Sequence, residues 1–151
     1  MNKVKVYRVR ATAKLPTRAH RTDAGMDFFY CPDSEDSVTI SPGESRLLPT
    51  GLKMEVPRGC MLQVMNKSGI ASKRSLIAGA CVVDEGYTGE IFVNLHNIGS
   101  EIQIIHPGHK VAQGVFIKIE SPALLEVTTA EELYGGATDR GAGALGSTGN
   151  T

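Results

Sequence analysis

The sequence contains no tryptophan, and aromatic residues make up only 5% of its 151 residues. Its sixteen basic and sixteen acidic residues cancel, so the composition gives no broad electrostatic attraction to nucleic acid or to an anionic membrane. The apolar runs are too short to cross a bilayer, and residues 1–10 lack the continuous apolar segment of a secretion signal. We therefore expect a cytoplasmic protein that contacts neither membrane nor nucleic acid directly.

Cysteine is also scarce. Cys31, Cys60 and Cys81 are odd in number and show no C-x-x-C spacing, which argues against a disulfide scaffold or a cysteine zinc site. This usage is typical of a reducing compartment. A nucleophilic cysteine is a weaker interpretation than three small hydrophobic residues in the interior.

Helical periodicity is nearly absent, whereas short runs of Val, Ile, Phe and Leu alternate regularly with Gly, Pro, Asp and Ser. This pattern predicts an all-β sandwich or barrel. Between residues 91 and 96, strict alternation assigns Ile91, Val93 and Leu95 to one face of a strand. Short helical turns are expected within residues 69–77 and 128–134.

The composition shifts to Gly, Ala, Ser and Thr from about residue 135 onward. We therefore predict one β-domain over residues 1–134 and a flexible arm over residues 135–151.

Two segments in the first half of the chain carry polar groups that ordinary turns do not require. Residues 22–29 place two carboxylates around an Ala-Gly turn, so they could bind a hydrated cation, or Asp27 could simply accept backbone N–H groups. In residues 66–73, Ser68 and Gly69 precede a helical turn and could cradle an anion, or Ser68 could cap the helix.

Three further segments add a carboxylate, an amide and a guanidinium. In residues 79–91, Asp84 ends an apolar strand, where an unpaired carboxylate is costly to bury, so it needs a partner or a water to activate. In residues 110–116, Gln113 interrupts an apolar strand as a ligand or as a satisfied edge residue. Arg140 offers a planar, charged fork suited to phosphate oxygens.

Taken in order, these five segments resemble the five motifs of the trimeric dUTPases. The family patterns are roughly AGxDL, RSG-x-A, G-x-I-D-x-x-Y-x-G, a strand containing A-Q, and RGSGGFGSTG. This sequence reads AGMDFF, KSGIA, CVVDEGYTG, VAQGVF and RGAGALGSTG, and the resemblance spans nearly the whole chain. It implies a distorted jelly-roll β-barrel with one short helix and a flexible Gly-rich C-terminal arm, assembled as a homotrimer with three shared active sites.

The resemblance also implies an activity. Such enzymes hydrolyse dUTP to dUMP and pyrophosphate, which keeps uracil out of DNA and supplies dUMP for thymidylate synthesis. Asp84 would be the base for water attacking the α-phosphorus, with Gln113 near that water. Tyr87 would lie under the deoxyribose, where a 2′-hydroxyl would clash, although a cross-strand tyrosine is the alternative. The uracil edge would meet main-chain groups of Gly79, Ala80, Cys81, Val82 and Val83.

The remaining implied contacts concern phosphate and metal. Asp27 would contact Mg²⁺ through water, with the ion held mainly by substrate phosphates. Phosphate oxygens would meet Lys67, Ser68, Gly69 and Gln113. The arm of a neighbouring subunit would close over the nucleotide with Arg140, Leu145, Gly146, Ser147 and Thr148.

The sequence departs from the family pattern at four places: Leu145 replaces an aromatic residue, Ala142 a serine, Lys67 an arginine and Cys81 a glycine. Two alternatives share parts of the pattern. One is a dCTP deaminase of the same fold, whose glutamate would be replaced here by Asn94, an amide that cannot shuttle protons. The other is a nucleotide-sensing or partner-binding trimer.

Overall fold

The structure is a computed structural model that describes residues 3–143. The chain divides into two compact units, Met1–Glu120 and Ser121–Thr151. The first unit contains the strands and the α-helix. The described part of the second unit is mostly exposed and includes a short 3-10 helix, Ala130–Leu133.

Short strands dominate the first unit, as the alternating apolar pattern predicts. The strands are β1 (Val6–Arg8), β2 (Met26–Phe29), β3 (Val38–Ile40), β4 (Ser45–Pro49), β5 (Leu52–Met54), β6 (Cys60–Met65), β7 (Leu76–Ala78), β8 (Val82–Val83), β9 (Phe92–Asn97), β10 (Gln103–Ile105) and β11 (Lys110–Lys118). The helix α1 comprises Ser68–Arg74 and ends where Ser75 adopts a left-handed conformation, with a φ of 52°.

The strands pair antiparallel in four sheets. The largest has the strand order β2-β11-β6-β8, and a second has the order β4-β9-β7. Two further pairs join β1 with β5 and β3 with β10. The largest sheet carries parts of the first, third and fourth segments singled out above, and the second segment follows β6 and forms α1, so the sheet register decides which of their side chains can meet.

The core of the first unit consists mainly of aliphatic side chains, together with the fully buried Phe28. The predicted alternation in β9 is confirmed, because Ile91, Val93 and Leu95 are at most 1% exposed while Phe92 is 37% exposed. Each such fully buried side chain stabilises the fold by roughly 1.5–3 kcal/mol. The predicted helical turns are confirmed as α1 and the 3-10 helix.

Candidate active site

The third segment of the sequence analysis lines a cavity of about 340 Å³. Residues 80–84 form one wall, Tyr87 lies beside them, and Leu47 and Phe92 add apolar surface. The cavity therefore combines exposed main chain, one carboxylate and one aromatic ring. Its size falls at the lower end of small-molecule sites, and such sites are typically apolar with a few placed polar groups.

Asp84 follows β8 and is exposed to solvent. Its main-chain oxygen accepts a hydrogen bond from the Tyr87 N–H at 3.2 Å, which closes a turn through Gly86, whose φ is 83°. Of the two alternatives for Asp84, a structural donor is not what the structure contains, because the strand ends before the carboxylate and leaves it in water. A carboxylate that is accessible to solvent is suited to orienting a water molecule.

Tyr87 is held against the turn rather than in the core. Its ring is 47% exposed, and its hydroxyl donates to the main-chain oxygen of Glu90 at 3.0 Å. A Cβ at Gly89 would overlap the Tyr87 hydroxyl, so a glycine is needed there for the ring to lie in this position. The cross-strand tyrosine considered above is not what the structure contains.

The loop before β8 is supported from beneath by a polar pair on β9. The N–H of Gly79 donates to the main-chain oxygen of Asn94 at 2.9 Å, and the Asn94 side chain lies 2.7 Å from His96 Nε2. A Cβ at Gly79 would overlap both of those side chains. The Ala80 N–H also donates to Asn94 Oδ1 at 3.4 Å, so Asn94 positions the main chain of residues 79–80, a role that needs no carboxylate.

The first, second and fourth segments meet in a second cavity of about 230 Å³. Its lining includes Asp23, Gly25, Asp27, Lys67 and Gln113. All but Lys67 come from β2, β11 or the loop before β2, and β2 and β11 pair so that Gln113 lies opposite Asp27. The structure thus brings together three segments that are far apart in the sequence.

Asp27 is a buried carboxylate at the centre of an ion-pair cluster. Its two oxygens each lie 2.7 Å from an ammonium group, Oδ1 from Lys67 and Oδ2 from Lys110. Burial alone would raise the pKa of Asp27, but hydrogen bonds from Lys110 and then Lys67 outweigh it, so this pKa lies below its ordinary value. Side-chain ammonium groups, and not backbone N–H groups, satisfy this residue.

Gln113 lies on a central strand and not at an edge, since β11 pairs with both β2 and β6. Its side-chain amide donates to the main-chain oxygen of Asn66 at 2.9 Å. The interpretation of Gln113 as an edge residue is therefore wrong. Its carboxamide oxygen lies against Gly25, where a Cβ would overlap it, so the side chain is fixed between two loops.

Ser68 is the first residue of α1, and the residue that precedes the helix is Lys67, which makes no side-chain cap. The expectation that Ser68 caps the helix is wrong. Because the first turn of a helix leaves N–H groups without intrahelical partners, Ser68 and Gly69 present such groups beside Lys67.

The two cavities are separate within one chain. On β6, Val83 lies opposite Leu62, so Asp84 continues toward Met61, whereas Gln113 lies opposite Met65. Four residues of a strand span about 14 Å. Asp84 and Gln113, the two residues with implied catalytic roles, therefore do not meet in the chain as described.

The C-terminal segment is described only in part. Arg140 donates from Nη2 to the main-chain oxygen of Gly143 at 3.3 Å. Leu145, Gly146, Ser147 and Thr148 lie outside the described residues.

Comparison with known proteins resolves what kind of chain carries these cavities. A family model described as dUTPase matches residues 11–149. This chain belongs to the dUTPase family. The deoxyuridine 5′-triphosphate nucleotidohydrolase of Clostridium kluyveri is 39% identical over 146 residues, which cover 95% of this chain and 96% of that protein.

Solved dUTPase structures have the same fold. A variant of the Staphylococcus bacteriophage 80alpha dUTPase, solved with dUpNHpp, matches with a TM-score of 0.83, 25% identity and 99% of each chain covered. A variant of the dUTPase from phage phi11 of S. aureus, in which the coordination of a structural Mg(II) ion is described, matches with a TM-score of 0.77 and 26% identity over 86% of this chain and 99% of that one. The predicted fold class, an all-β dUTPase-like jelly roll, is confirmed.

Some residues at the two cavities were missed by the sequence analysis. Lys110 pairs with Asp27, and Glu90 accepts the Tyr87 hydroxyl through its main chain and lines the first cavity. Glu90 could have been found from its position, since a carboxylate at the start of an apolar strand needs a cationic partner if it is buried.

None of the helices in the described part of the chain is long and apolar enough to span a bilayer.

Proposed function

We propose that this protein hydrolyses dUTP to dUMP and pyrophosphate, by attack of water on the α-phosphorus. The observation that carries the proposal is the first cavity, where exposed main chain, Tyr87 and the accessible carboxylate of Asp84 line one space in a chain of the dUTPase family. The 80alpha relative was solved with dUpNHpp. The reaction would limit uracil in DNA and supply dUMP for thymidylate synthesis.

The first cavity would hold the nucleoside. Main-chain groups of residues 79–83 would pair with the uracil edge, which suits a segment whose side chains are apolar or absent. The Tyr87 ring would lie under the deoxyribose and exclude a 2′-hydroxyl. Asp84 would take a proton from the attacking water, a role that requires an ionised carboxylate with access to solvent.

The second cavity would hold phosphate. Lys67 and the Gln113 amide line this cavity, and Ser68 and Gly69 follow Lys67 directly in the first turn of α1. The Lys67 ammonium group would attract the phosphate oxygens of a bound nucleotide. Positioning and charge stabilisation are the main requirements of phosphoryl chemistry.

The separation of the two cavities supports a site shared between subunits of a homotrimer. A nucleotide bound beside Asp84 of one subunit would present its phosphates to Gln113 of another. The arm of residues 135–151 would then close with Arg140, Leu145, Gly146, Ser147 and Thr148. The homotrimer would place one nucleotide at each of three such sites.

The residues fit a magnesium ion that arrives with the nucleotide. Among residues 3–143, no group of three or more His, Cys, Asp or Glu side chains is placed to hold a metal. Both oxygens of Asp27 are paired with lysine ammonium groups. Asp27 could therefore contact the water shell of Mg²⁺ only after one of these ammonium groups had left it to bind a phosphate oxygen. When bound, Mg²⁺ would neutralise charge on the phosphate oxygens.

A product assay tests the activity. The purified protein with Mg²⁺ should release pyrophosphate from dUTP and act far more slowly on dCTP, dTTP and UTP. Ammonia from dCTP would instead identify a deaminase. If no nucleotide is turned over, the nucleotide-sensing or partner-binding trimer is the remaining interpretation.

The three cysteines are free, which agrees with a cytoplasmic enzyme, in the host cytoplasm if the protein is viral.

A mixing experiment tests the shared site. Asp84→Asn and Gln113→Ala should each be inactive alone, because each removes a required side chain from a different cavity. When they are co-expressed in equal amounts, each mixed trimer should contain one site with an intact Asp84 and an intact Gln113, so about a quarter of all sites should recover activity. No recovery, with mixed trimers demonstrated by mass, would mean that the site lies within one chain.

A further inference from the structure

An ion pair that none of the proposed chemistry uses lies behind the turn that carries Tyr87. The side chains of Arg10 and Glu90 are only 17% and 12% exposed. Arg10 donates from Nη1 to Glu90 Oε1 at 2.5 Å and from Nη2 to Oε2 at 3.2 Å. Glu90 Oε1 also accepts the N–H of Gly51 at 2.7 Å, so the carboxylate is fixed by three donors.

Such a pair is a poor means of stabilising a fold. Removing two charges from water costs free energy that their attraction offsets only when the geometry is good, and an apolar pair of similar volume often serves stability as well. The arrangement of donors points instead to control of conformation. Glu90 is the residue whose main-chain oxygen accepts the Tyr87 hydroxyl, so fixing its side chain also fixes the acceptor of that hydrogen bond.

The turn has a second attachment on its other side. Glu85 accepts the N–H of Gly59 at 2.8 Å, which ties the start of the turn to the loop before β6. Residues 84–91 connect β8 to β9 without regular secondary structure, and Tyr87 lies between the two attachments. Of the two, Glu85 is exposed, whereas Glu90 is largely buried and held by a two-pronged guanidinium.

We propose that Arg10 is a positioning residue for sugar selection: through Glu90 it holds the Tyr87 ring where a 2′-hydroxyl cannot be accommodated. This inference rests on the proposed function, because it assumes that a deoxyribonucleotide occupies the first cavity. Without the guanidinium, the Glu90 carboxylate would move towards solvent and its main chain would shift with it. The Tyr87 hydroxyl would then lose its fixed acceptor, and the ring could move to make room for a ribose. Asp84, which precedes Tyr87 in the turn, would keep its access to water.

The test compares dUTP with UTP in two substitutions of Arg10 and one matched control. Arg10→Met removes the charge and the fork, and Arg10→Lys keeps the charge but cannot make both bonds to Glu90. We expect Arg10→Met to lower the ratio of kcat/KM for dUTP to that for UTP by about ten-fold, the scale of a lost steric contact in a binding pocket, and Arg10→Lys by less. The control is Asp33→Asn, which removes only the outer partner of Arg10, an aspartate whose side chain is 87% exposed.

The outcomes separate positioning from plain structure. Equal losses on both substrates, with an unchanged ratio, would overturn the proposal, and so would a fall of the ratio in Asp33→Asn as large as in Arg10→Met. If Arg10→Met does not fold, an unchanged ratio in Arg10→Lys overturns the proposal by itself. Failure of the proposed function would look different, since the unsubstituted protein would then not hydrolyse dUTP at all.

Discussion

Replacing Asp84 by asparagine should separate the chemistry of the site from its ability to bind. The side chain is exposed and the residue lies in a turn closed by main-chain groups, so Asp84→Asn should change the free energy of unfolding by no more than about 0.5 kcal/mol. Removal of a general base should lower kcat by about 10²–10⁴-fold. That range corresponds to about 3–5 kcal/mol of transition-state stabilisation.

Binding should move in the opposite direction or not at all. A carboxylate about 4 Å from a phosphate charge repels it by about 1 kcal/mol in a water-like environment, so the neutral amide should leave the affinity for an unreactive dUTP analogue unchanged or raise it by up to about five-fold. Calorimetry with the analogue and rapid-mixing kinetics with dUTP measure the two effects separately.

Asp36→Asn is the matched control, because it makes the same chemical change at an exposed position away from both cavities. It should leave kcat and analogue affinity as they are. Retained turnover in Asp84→Asn would refute the role of base. A loss of analogue affinity that parallels the loss of kcat would show that Asp84 acts in binding, and the reasoning from its exposure would be wrong.

Three further changes probe other parts of the molecule. Asp27→Asn should destabilise the protein by about 1–3 kcal/mol at pH 7, less than for a fully buried pair because Lys67 and Lys110 are partly exposed. The pKa of Asp27 is depressed in the folded state, so its contribution is complete above about pH 4 and is lost as the pH falls through the depressed pKa; urea titrations at pH 7 and pH 3 should show the difference between variant and parent shrinking. Gly89→Ala should displace the Tyr87 ring and lower kcat/KM for dUTP by about ten-fold with little change in far-ultraviolet circular dichroism, and an unchanged kcat/KM would show that the ring position is immaterial. Truncation after residue 136 should leave a folded trimer by light scattering with badly impaired hydrolysis, whereas a full rate would exclude a role for the arm.

Much of the fold could be predicted because its signals are local. The alternation of Ile91, Val93 and Leu95 is a period-two pattern that only a strand with one buried face satisfies. The sequence could not indicate exposure or strand position. Asp84 follows two valines, and only the structure shows that the strand ends with them and leaves the carboxylate in water. The alternative of an edge position for Gln113 is wrong, because β11 is flanked on both sides.

The residues of the candidate site can be recognised singly from the sequence, but which of them lie close together depends on the register of the strands. Each motif in the sequence marks a residue type suited to one task, and none marks its partner. The pairing of Gln113 with Asp27 follows only from the alignment of β11 with β2, and the support of the Tyr87 turn by Arg10 joins residues eighty positions apart. Charged residues that hold others in place, such as Arg10 and Lys110, have no motif of their own, since many side chains could satisfy the same carboxylate.

The distance between the two cavities also constrains how the activity could be regulated. If the nucleoside and the phosphates bind at these two cavities, one chain has no complete site by itself, and the activity should follow the fraction of chains that are assembled into trimers. Dilution should then lower the specific activity, with no loss of folded structure, once the protein concentration falls below the range in which the trimer dissociates. An activity that stayed proportional to protein concentration while light scattering reported monomers would be incompatible with a site divided along one strand.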